Sequence, residues 1–112
     1  MTAASDAMAD RLRPVLAKKK LTLVEKPMFG GLGFMLNGNM LIGTTAKGAL
    51  LVRVDPDKMD EALARPGAYA MHMGSRVMTG FIAVDPNALP DAASIKDWIA
   101  YARAYVKSLP VK

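Results

Sequence analysis

An Asn37-Gly38 dipeptide between two apolar segments is the feature that most restricts how this chain can fold. Asparagine and glycine tolerate the positive φ angles that both central residues of a type I′ turn require, and this turn matches the twist of two antiparallel strands. Residues 33–36 and 39–45, on either side, are long enough to form short strands. The dipeptide therefore predicts a β-hairpin and, with it, an antiparallel sheet.

Further turn signals and apolar segments extend this hairpin. A third strand is predicted over residues 49–54, and a second hairpin over 69–84 with Gly74-Ser75 as its turn. Residues 21–26 are predicted to form an additional short strand. The chain is therefore expected to contain five strands, or six with this short one.

Apolar residues at helical spacing predict three helices in the same chain. The first is expected over residues 5–17, with Ser5 or the residue after it as the N-cap and a kink or restart near Pro14. The second is short and begins at Asp55, and the third is expected over 92–109. The sequence therefore predicts an α+β fold, a two-layer sandwich with helices on one side of an antiparallel sheet. The expected order is α-β(3)-α-β(2)-α, with the extra short strand after the first helix.

Composition excludes several classes of chemistry. The chain has 112 residues, no cysteine and one histidine, so disulfides and thiolate chemistry are absent and most metal sites are excluded. His72 lies in a predicted strand without a cysteine, a second histidine or an evident carboxylate partner, as general acid–base catalysis would require. No serine nucleophile pattern is present. We therefore predict no catalytic residue, no metal ligand, no cofactor and no enzymatic activity.

The length of the chain and the distribution of its charged and apolar residues predict its domain organisation and its location in the cell. A chain of 112 residues is close to the usual size of one domain, so residues 1–112 are predicted to form a single domain. The first twenty residues are interrupted by charges and a proline, which argues against a targeting segment. The longest apolar segments are far too short to cross a membrane. The expected location is the cytoplasm, without membrane attachment.

Three segments in a fixed order carry a resemblance to a known family. They read Lys26-Pro27-Met28-Phe29-Gly30-Gly31-Leu32-Gly33-Phe34, then Asn37-Gly38-Asn39-Met40, then Leu51-Val52-Arg53-Val54, and a helix containing Trp98 follows. This order resembles the TfoX/Sxy N-terminal domain family of bacterial competence regulators, in its short single-domain form, over about residues 8–109. The resemblance implies a two-layer α/β sandwich. It also implies membership of a group whose larger members assist transcription with the cyclic-AMP receptor protein.

The glycine-rich part of this pattern is the first candidate interaction site. It lacks the Lys-Ser/Thr pair of a phosphate-binding P-loop and is followed by a predicted strand instead of a helix. A structural role for the glycines is therefore favoured, with binding of an anion or a partner strand as the alternative. The family-motif residues assigned to this candidate site are Lys26, Met28, Phe29, Gly30, Gly31, Gly33, Asn37 and Gly38.

A lysine cluster is the second candidate. Lys18, Lys19 and Lys20 follow the first helix and form a basic patch in a chain of net charge +5. Such a patch could meet nucleic acid or an acidic protein. No aromatic RNA-binding motif and no helix-turn-helix pattern accompanies it, which argues against direct nucleic-acid binding.

The hairpin over 69–84 has apolar residues on both faces. A single layer of helices can cover only one of these faces. This surplus favours a self-association surface or a groove, and the sequence therefore predicts a protein-interaction or regulatory module with a protein partner or a homodimer. Two alternatives stay open. One is an enzyme or small-ligand protein with a pocket near the glycine-rich segment, lined by Arg53, Arg76, His72 and Tyr69. The other is an accessory transcription factor that contacts DNA.

Overall fold

A computed structural model describes residues 2–19, 23–28 and 30–111 of the chain. The α-helices are α1 (Ala3–Lys18), α2 (Met59–Leu63) and α3 (Ala92–Val106). The strands are β1 (Val24–Met28), β2 (Gly31–Leu36), β3 (Asn39–Thr44), β4 (Leu50–Arg53), β5 (Ala68–Met73) and β6 (Arg76–Val84). Short 3₁₀ turns at Pro56–Lys58 and Pro86–Ala88 precede α2 and α3. This confirms the predicted α+β order, including the extra strand after the first helix, which is β1.

All six strands belong to one antiparallel sheet in the order β1-β2-β3-β4-β6-β5. Because side chains alternate between the two faces of a strand, the register shows which residues share a face. Phe34, Ile42, Val52 and Ile82 lie opposite one another across four strands, and all four belong to the buried core together with residues of α1, α2 and α3. The helices therefore cover this face, as predicted.

One residue inserted in β3 adds to that core. The pairing changes from Phe34–Ile42 to Met35–Met40, so Leu41 has no partner opposite it in β2. A bulge of this kind lets two successive side chains turn toward the same face. Leu41 is fully buried in the core beside Ile42, which strict alternation along the strand would not allow.

The start of α1 differs from the prediction. The N-cap is Thr2, whose side chain accepts a hydrogen bond from the Ser5 backbone at 3.1 Å. Ser5 itself is fully buried inside the helix, so its assignment as the cap was wrong. The expected restart near Pro14 was also wrong, because α1 continues through this exposed residue to Lys18.

The predicted start of α2 and the predicted ends of α3 agree more closely with the structure. Asp55 caps the turn before α2 by accepting a hydrogen bond from the Asp57 backbone at 2.9 Å. Asp91 and Ser94 form a reciprocal capping box at the start of α3. The last helix ends at Val106, three residues before the predicted end at residue 109, and hydrogen-bonded turns continue the chain from there.

Candidate functional site

The glycine-rich segment lies at the β1–β2 end of the sheet, where its glycines allow neighbouring groups to approach closely. Gly31 begins β2, where a Cβ atom would stand 2.7 Å from the carbonyl carbon of Thr44 in β3. A Cβ on Gly33 would stand 2.6 Å from the sulfur of Met28, whose side chain therefore lies directly against Gly33. The chain after the glycines is a strand, as predicted, and the glycines permit close contact with neighbouring groups.

The remaining residues of the family motif are spread around this contact. Lys26 is exposed in β1, Met28 is half-buried, and Gly30 has a φ of +75°. Phe29 lies outside the described residues. The sequence therefore located the segment, while its predicted anion or strand binding stays a prediction.

Asn37 and Gly38 form the predicted turn of the β2–β3 hairpin, with φ angles of +54° and +83°. Both are exposed, whereas the next residue, Asn39, is buried. The Asn39 side-chain amide donates a hydrogen bond of 2.9 Å to the carbonyl oxygen of Pro110. The turn residues thus belong to a hairpin that is fixed to the end of the chain after α3.

The two outer strands of the sheet differ in their protection. In β1, the outer edge carries Glu25, Lys26 and Pro27, and charges and proline are the usual means of preventing further strand pairing. The other edge strand, β5, has the sequence Ala-Tyr-Ala-Met-His-Met and contains neither a proline nor an aspartate, glutamate, lysine or arginine. Its Tyr69 is 46% exposed, and Val77 in the adjoining β6 is 52% exposed. The β5 edge therefore lacks the charges and the proline that protect β1, and its pairing with β6 is irregular between Ala70 and His72.

The lysine patch is larger in the fold than in the sequence. Lys18 and Lys19, at the end of α1, line a depression of about 340 Å³ together with Lys96 of α3. Lys19 also lines a neighbouring depression of about 280 Å³ with Arg103 and Lys107. Lys20 lies outside the described residues. The packing of α1 against α3 thus brings two separate groups of cations into one groove.

Sequence reasoning missed a pair of arginine–aromatic stacks. The guanidinium carbon of Arg65 lies 4.1 Å from the ring centre of Trp98 and 4.8 Å from that of Tyr101. The guanidinium carbon of Arg53 lies 5.1 Å from the ring centre of Phe81 and 5.8 Å from that of Tyr105. No signal in the sequence pairs residues this far apart along the chain.

Most of the chain matches one protein-family model, described as the TfoX N-terminal domain, over residues 17–105. The chain belongs to the TfoX N-terminal domain family. No significant match was found among curated proteins or among solved structures. The family, which the sequence resemblance named, is therefore confirmed.

The residues proposed for an alternative ligand pocket lie on β4, β5 and β6 of this TfoX N-terminal domain. Arg53 stacks on Phe81 and Tyr105, whereas Arg76 and His72 are exposed in the β5–β6 hairpin. Among the described residues, no group of three or more histidine and acidic side chains is arranged to hold a metal ion. Within the same residues, no helix has the length and apolar composition needed to cross a bilayer.

Two tyrosines have raised pKa values. Burial raises the pKa of Tyr69 above its usual value, and the negative charge of Asp85 adds to the effect. Burial is also the largest cause that raises the pKa of Tyr101, followed by its hydrogen bond to Glu61 at 3.2 Å. In both cases the neutral phenol is favoured, which suits a hydrogen-bond donor or a packing group more than a base.

Proposed function

We propose that this TfoX N-terminal domain is a non-enzymatic interaction module whose partner is a second copy of itself, paired along β5. The observation that carries the proposal is the contrast between the two sheet edges. The β1 edge carries two charges and a proline, and the β5 edge carries none. An unprotected edge strand offers its unused backbone groups to another strand.

The backbone pattern supports pairing of β5 with a further strand. The carbonyl of Gly67 accepts a hydrogen bond from the amide of Asp85 at 2.9 Å, and Tyr69 pairs with Ala83 two residues further on. Because hydrogen-bonded pairs alternate along an antiparallel ladder, the backbone groups of Ala68 and Ala70 face away from β6. The Ala68 N–H already donates a hydrogen bond of 3.2 Å to the carbonyl oxygen of Arg65, which leaves the Ala68 carbonyl and the backbone groups of Ala70 for a partner strand. These groups are the ones that a partner strand would use.

The composition of β5 supports a second copy as that partner. Two identical antiparallel strands bring residues of the same sequence opposite one another, so a strand with charges of one sign would set like charges against each other. β5 contains no aspartate, glutamate, lysine or arginine, so it avoids this repulsion. Tyr69, 46% exposed, would gain apolar contact at such an interface.

The proposal extends to the setting in which such a pair would work. The TfoX name belongs to competence regulators, and dimeric domains are common among regulators because symmetric partners or sites can be bound together. We place this activity in the cytoplasm, where regulators of transcription act. Catalysis has no role in the proposal.

The test is the mass of the domain in solution, measured by light scattering after size-exclusion chromatography at micromolar concentration. The expected mass is twice the 12.0 kDa of one chain. Tyr69→Lys places a charge on the β5 edge and is expected to yield the monomer with an unchanged circular dichroism spectrum. Ala70→Pro, which removes an outward-facing N–H, should do the same.

Val24→Lys is the matched control, because Val24 is 59% exposed on the opposite edge strand, β1. This variant should keep the doubled mass. A monomeric parent protein at these concentrations would overturn the proposal. A monomeric Val24→Lys variant beside a dimeric Tyr69→Lys variant would assign the contact to the wrong edge and overturn it equally.

A further inference from the structure

We propose that the groove between the end of α1 and the outer surface of α3 binds an acidic amphipathic helix of a partner protein. We call it the cationic groove, and it is separate from the β5 edge. Its cations are Lys18, Lys19, Lys96, Arg103 and Lys107, and its apolar lining is Val15, Ala92, Ala93, Ala100 and Ala104.

The spacing of the α3 cations produces one continuous row. Lys96, Arg103 and Lys107 are separated by seven and four residues, so they lie on one side of the helix axis over about 16 Å. Asp97 is displaced by about 100° around the same helix, on the side of Tyr101. The row therefore contains no acidic residue that would neutralise it from within.

The second row comes from α1. Lys18 and Lys19 flank the groove from the side opposite the α3 row, and α1 packs directly against α3. Among the described residues, none of the five cations of the groove forms an ion pair. By contrast, Arg13 on the same helix is paired with Asp10 at 2.7 Å and with Glu25 at 3.0 Å. The groove thus holds positive charge that the fold itself leaves uncompensated.

The apolar floor of the cationic groove favours an acidic helix over nucleic acid as the bound polyanion. Alanines such as Ala93 and Ala100 leave room between the cationic rows, and Val15 adds an apolar surface. Small residues on a helix surface allow a further helix to approach closely and to bury its own apolar stripe. A nucleic-acid backbone has no apolar stripe to place there, and no aromatic side chain lines the groove for base stacking. Carboxylates on both sides of an apolar stripe match the groove in charge and shape.

The probe for the test is a fluorescein-labelled synthetic helical peptide with glutamates flanking a leucine and alanine stripe, measured by fluorescence anisotropy at low salt. A peptide of the same composition in scrambled order and a short DNA duplex serve as comparison probes. The patterned peptide should bind at least about tenfold more tightly than the scrambled one, because only the patterned peptide buries an apolar face.

Charge reversal tests the cationic rows. The double variant Lys96→Glu/Arg103→Glu should weaken peptide binding by about tenfold or more. Lys47→Glu/Lys58→Glu has the same change in net charge at exposed positions outside the groove, and its affinity should stay near that of the parent protein. Equal weakening by both double variants would reduce the effect to net charge and overturn the proposal.

Replacement of an alanine on the floor of the cationic groove by a larger apolar residue tests the apolar contact without altering the charge. Ala100→Met should weaken binding of the patterned peptide, whereas Ala7→Met, on an exposed part of α1 outside the groove lining, should not. Both variants are checked for an unchanged melting temperature. Equal affinity for patterned and scrambled peptides, or tight binding to the DNA duplex that only the groove charges control, would overturn the proposal. Because each readout is peptide binding, failure here leaves the β5 dimer test unaffected.

Discussion

The hydroxyl oxygens of Ser5 and Thr44 lie 2.6 Å apart, and both residues are fully buried. Ser5 belongs to α1 and Thr44 ends β3, so this hydrogen bond joins the first helix to the sheet. The hydroxyl of Thr44 also accepts a hydrogen bond of 3.0 Å from the backbone of Leu32 in β2. One polar contact inside the core therefore connects three elements, and its loss would leave buried groups without partners.

Ser5→Ala is expected to lower the free energy of unfolding by about 1 kcal/mol, because Thr44 then keeps only the Leu32 amide as a partner. Thr44→Val should cost more, about 2 kcal/mol, since it leaves the buried Leu32 N–H unpaired. Urea denaturation followed by circular dichroism measures both values. Ser75→Ala, in the exposed β5–β6 turn, is the serine control and should change stability by less than about 0.5 kcal/mol.

The coupling between the two hydroxyls has its own test in the double variant. Ser5→Ala/Thr44→Val removes both groups, so the pair should cost less than the sum of the single variants. A strictly additive result would show that the two hydroxyls do not depend on each other.

The glycines of β2 are expected to differ in their tolerance of a methyl group. Gly31→Ala should lower stability by about 3 kcal/mol, because the new Cβ would meet the backbone of Thr44, which cannot move without shifting β3. Gly33→Ala meets only the flexible side chain of Met28 and should cost less. Melting temperatures give the order of the two variants.

Met28 supplies the compensating change. Shortening it in Gly33→Ala/Met28→Ala makes room for the new methyl group, so the double variant should lose less stability than the two single losses added together. The same Met28→Ala change in a Gly31→Ala background should give no such relief. Equal behaviour of the two backgrounds would contradict the packing described for these glycines.

Local signals explain the parts of the fold that the sequence predicted well. The Asn37-Gly38 turn is specified by the φ angles of two adjacent residues, and Asp91 caps α3 through a residue three positions away. The buried role of Ser5 and the bulge at Leu41 depend instead on how α1 and β2 pack against β3. Such contacts join residues distant in the chain, so no local pattern reveals them.

The candidate sites also combine local signals, which the sequence shows, with contacts between distant residues, which it does not show. Lys18 and Lys19 were visible as a run of like charge, but the groove exists only because α1 places them beside α3. The regular spacing of Lys96, Arg103 and Lys107 was a signal that could have predicted a cationic row on one helix. The stack of Arg65 on Trp98 had no such signal, since 33 residues separate them.

Arg65 is expected to stabilise the contact between the end of α2 and α3. Its guanidinium carbon lies 4.1 Å from the centre of the Trp98 ring, so Arg65→Ala should cost about 1 kcal/mol through lost stacking and packing. Arg65→Met retains much of the apolar stem without the charge and should recover part of that loss. Urea denaturation followed by the fluorescence of Trp98, the single tryptophan of the chain, measures both. Equal loss in the two variants would assign the whole effect to the cation.

The phenol of Tyr101 is expected to make stability depend on alkaline pH. Burial and the hydrogen bond to Glu61 raise the pKa of Tyr101 above its usual value, so the folded chain holds this proton more tightly than the unfolded chain does. The contribution is fully present below the ordinary tyrosine pKa of about 10 and is lost as the pH rises through the raised pKa. Tyr101→Phe removes the titrating group and should flatten this part of the pH–stability curve.

Glu61→Gln gives the complementary measurement at the same hydrogen bond. Without the carboxylate charge, the pKa of Tyr101 should fall toward its usual value, while burial continues to raise it. The phenolate absorbance of the Glu61→Gln variant, after subtraction of the titration of a Tyr101→Phe variant, reports the pKa of this one tyrosine. Asp60→Asn, one residue earlier on α2, is the control for removal of a nearby negative charge, and it should move the titration less. A larger shift with Asp60→Asn than with Glu61→Gln would contradict the hydrogen bond as a cause of the raised pKa.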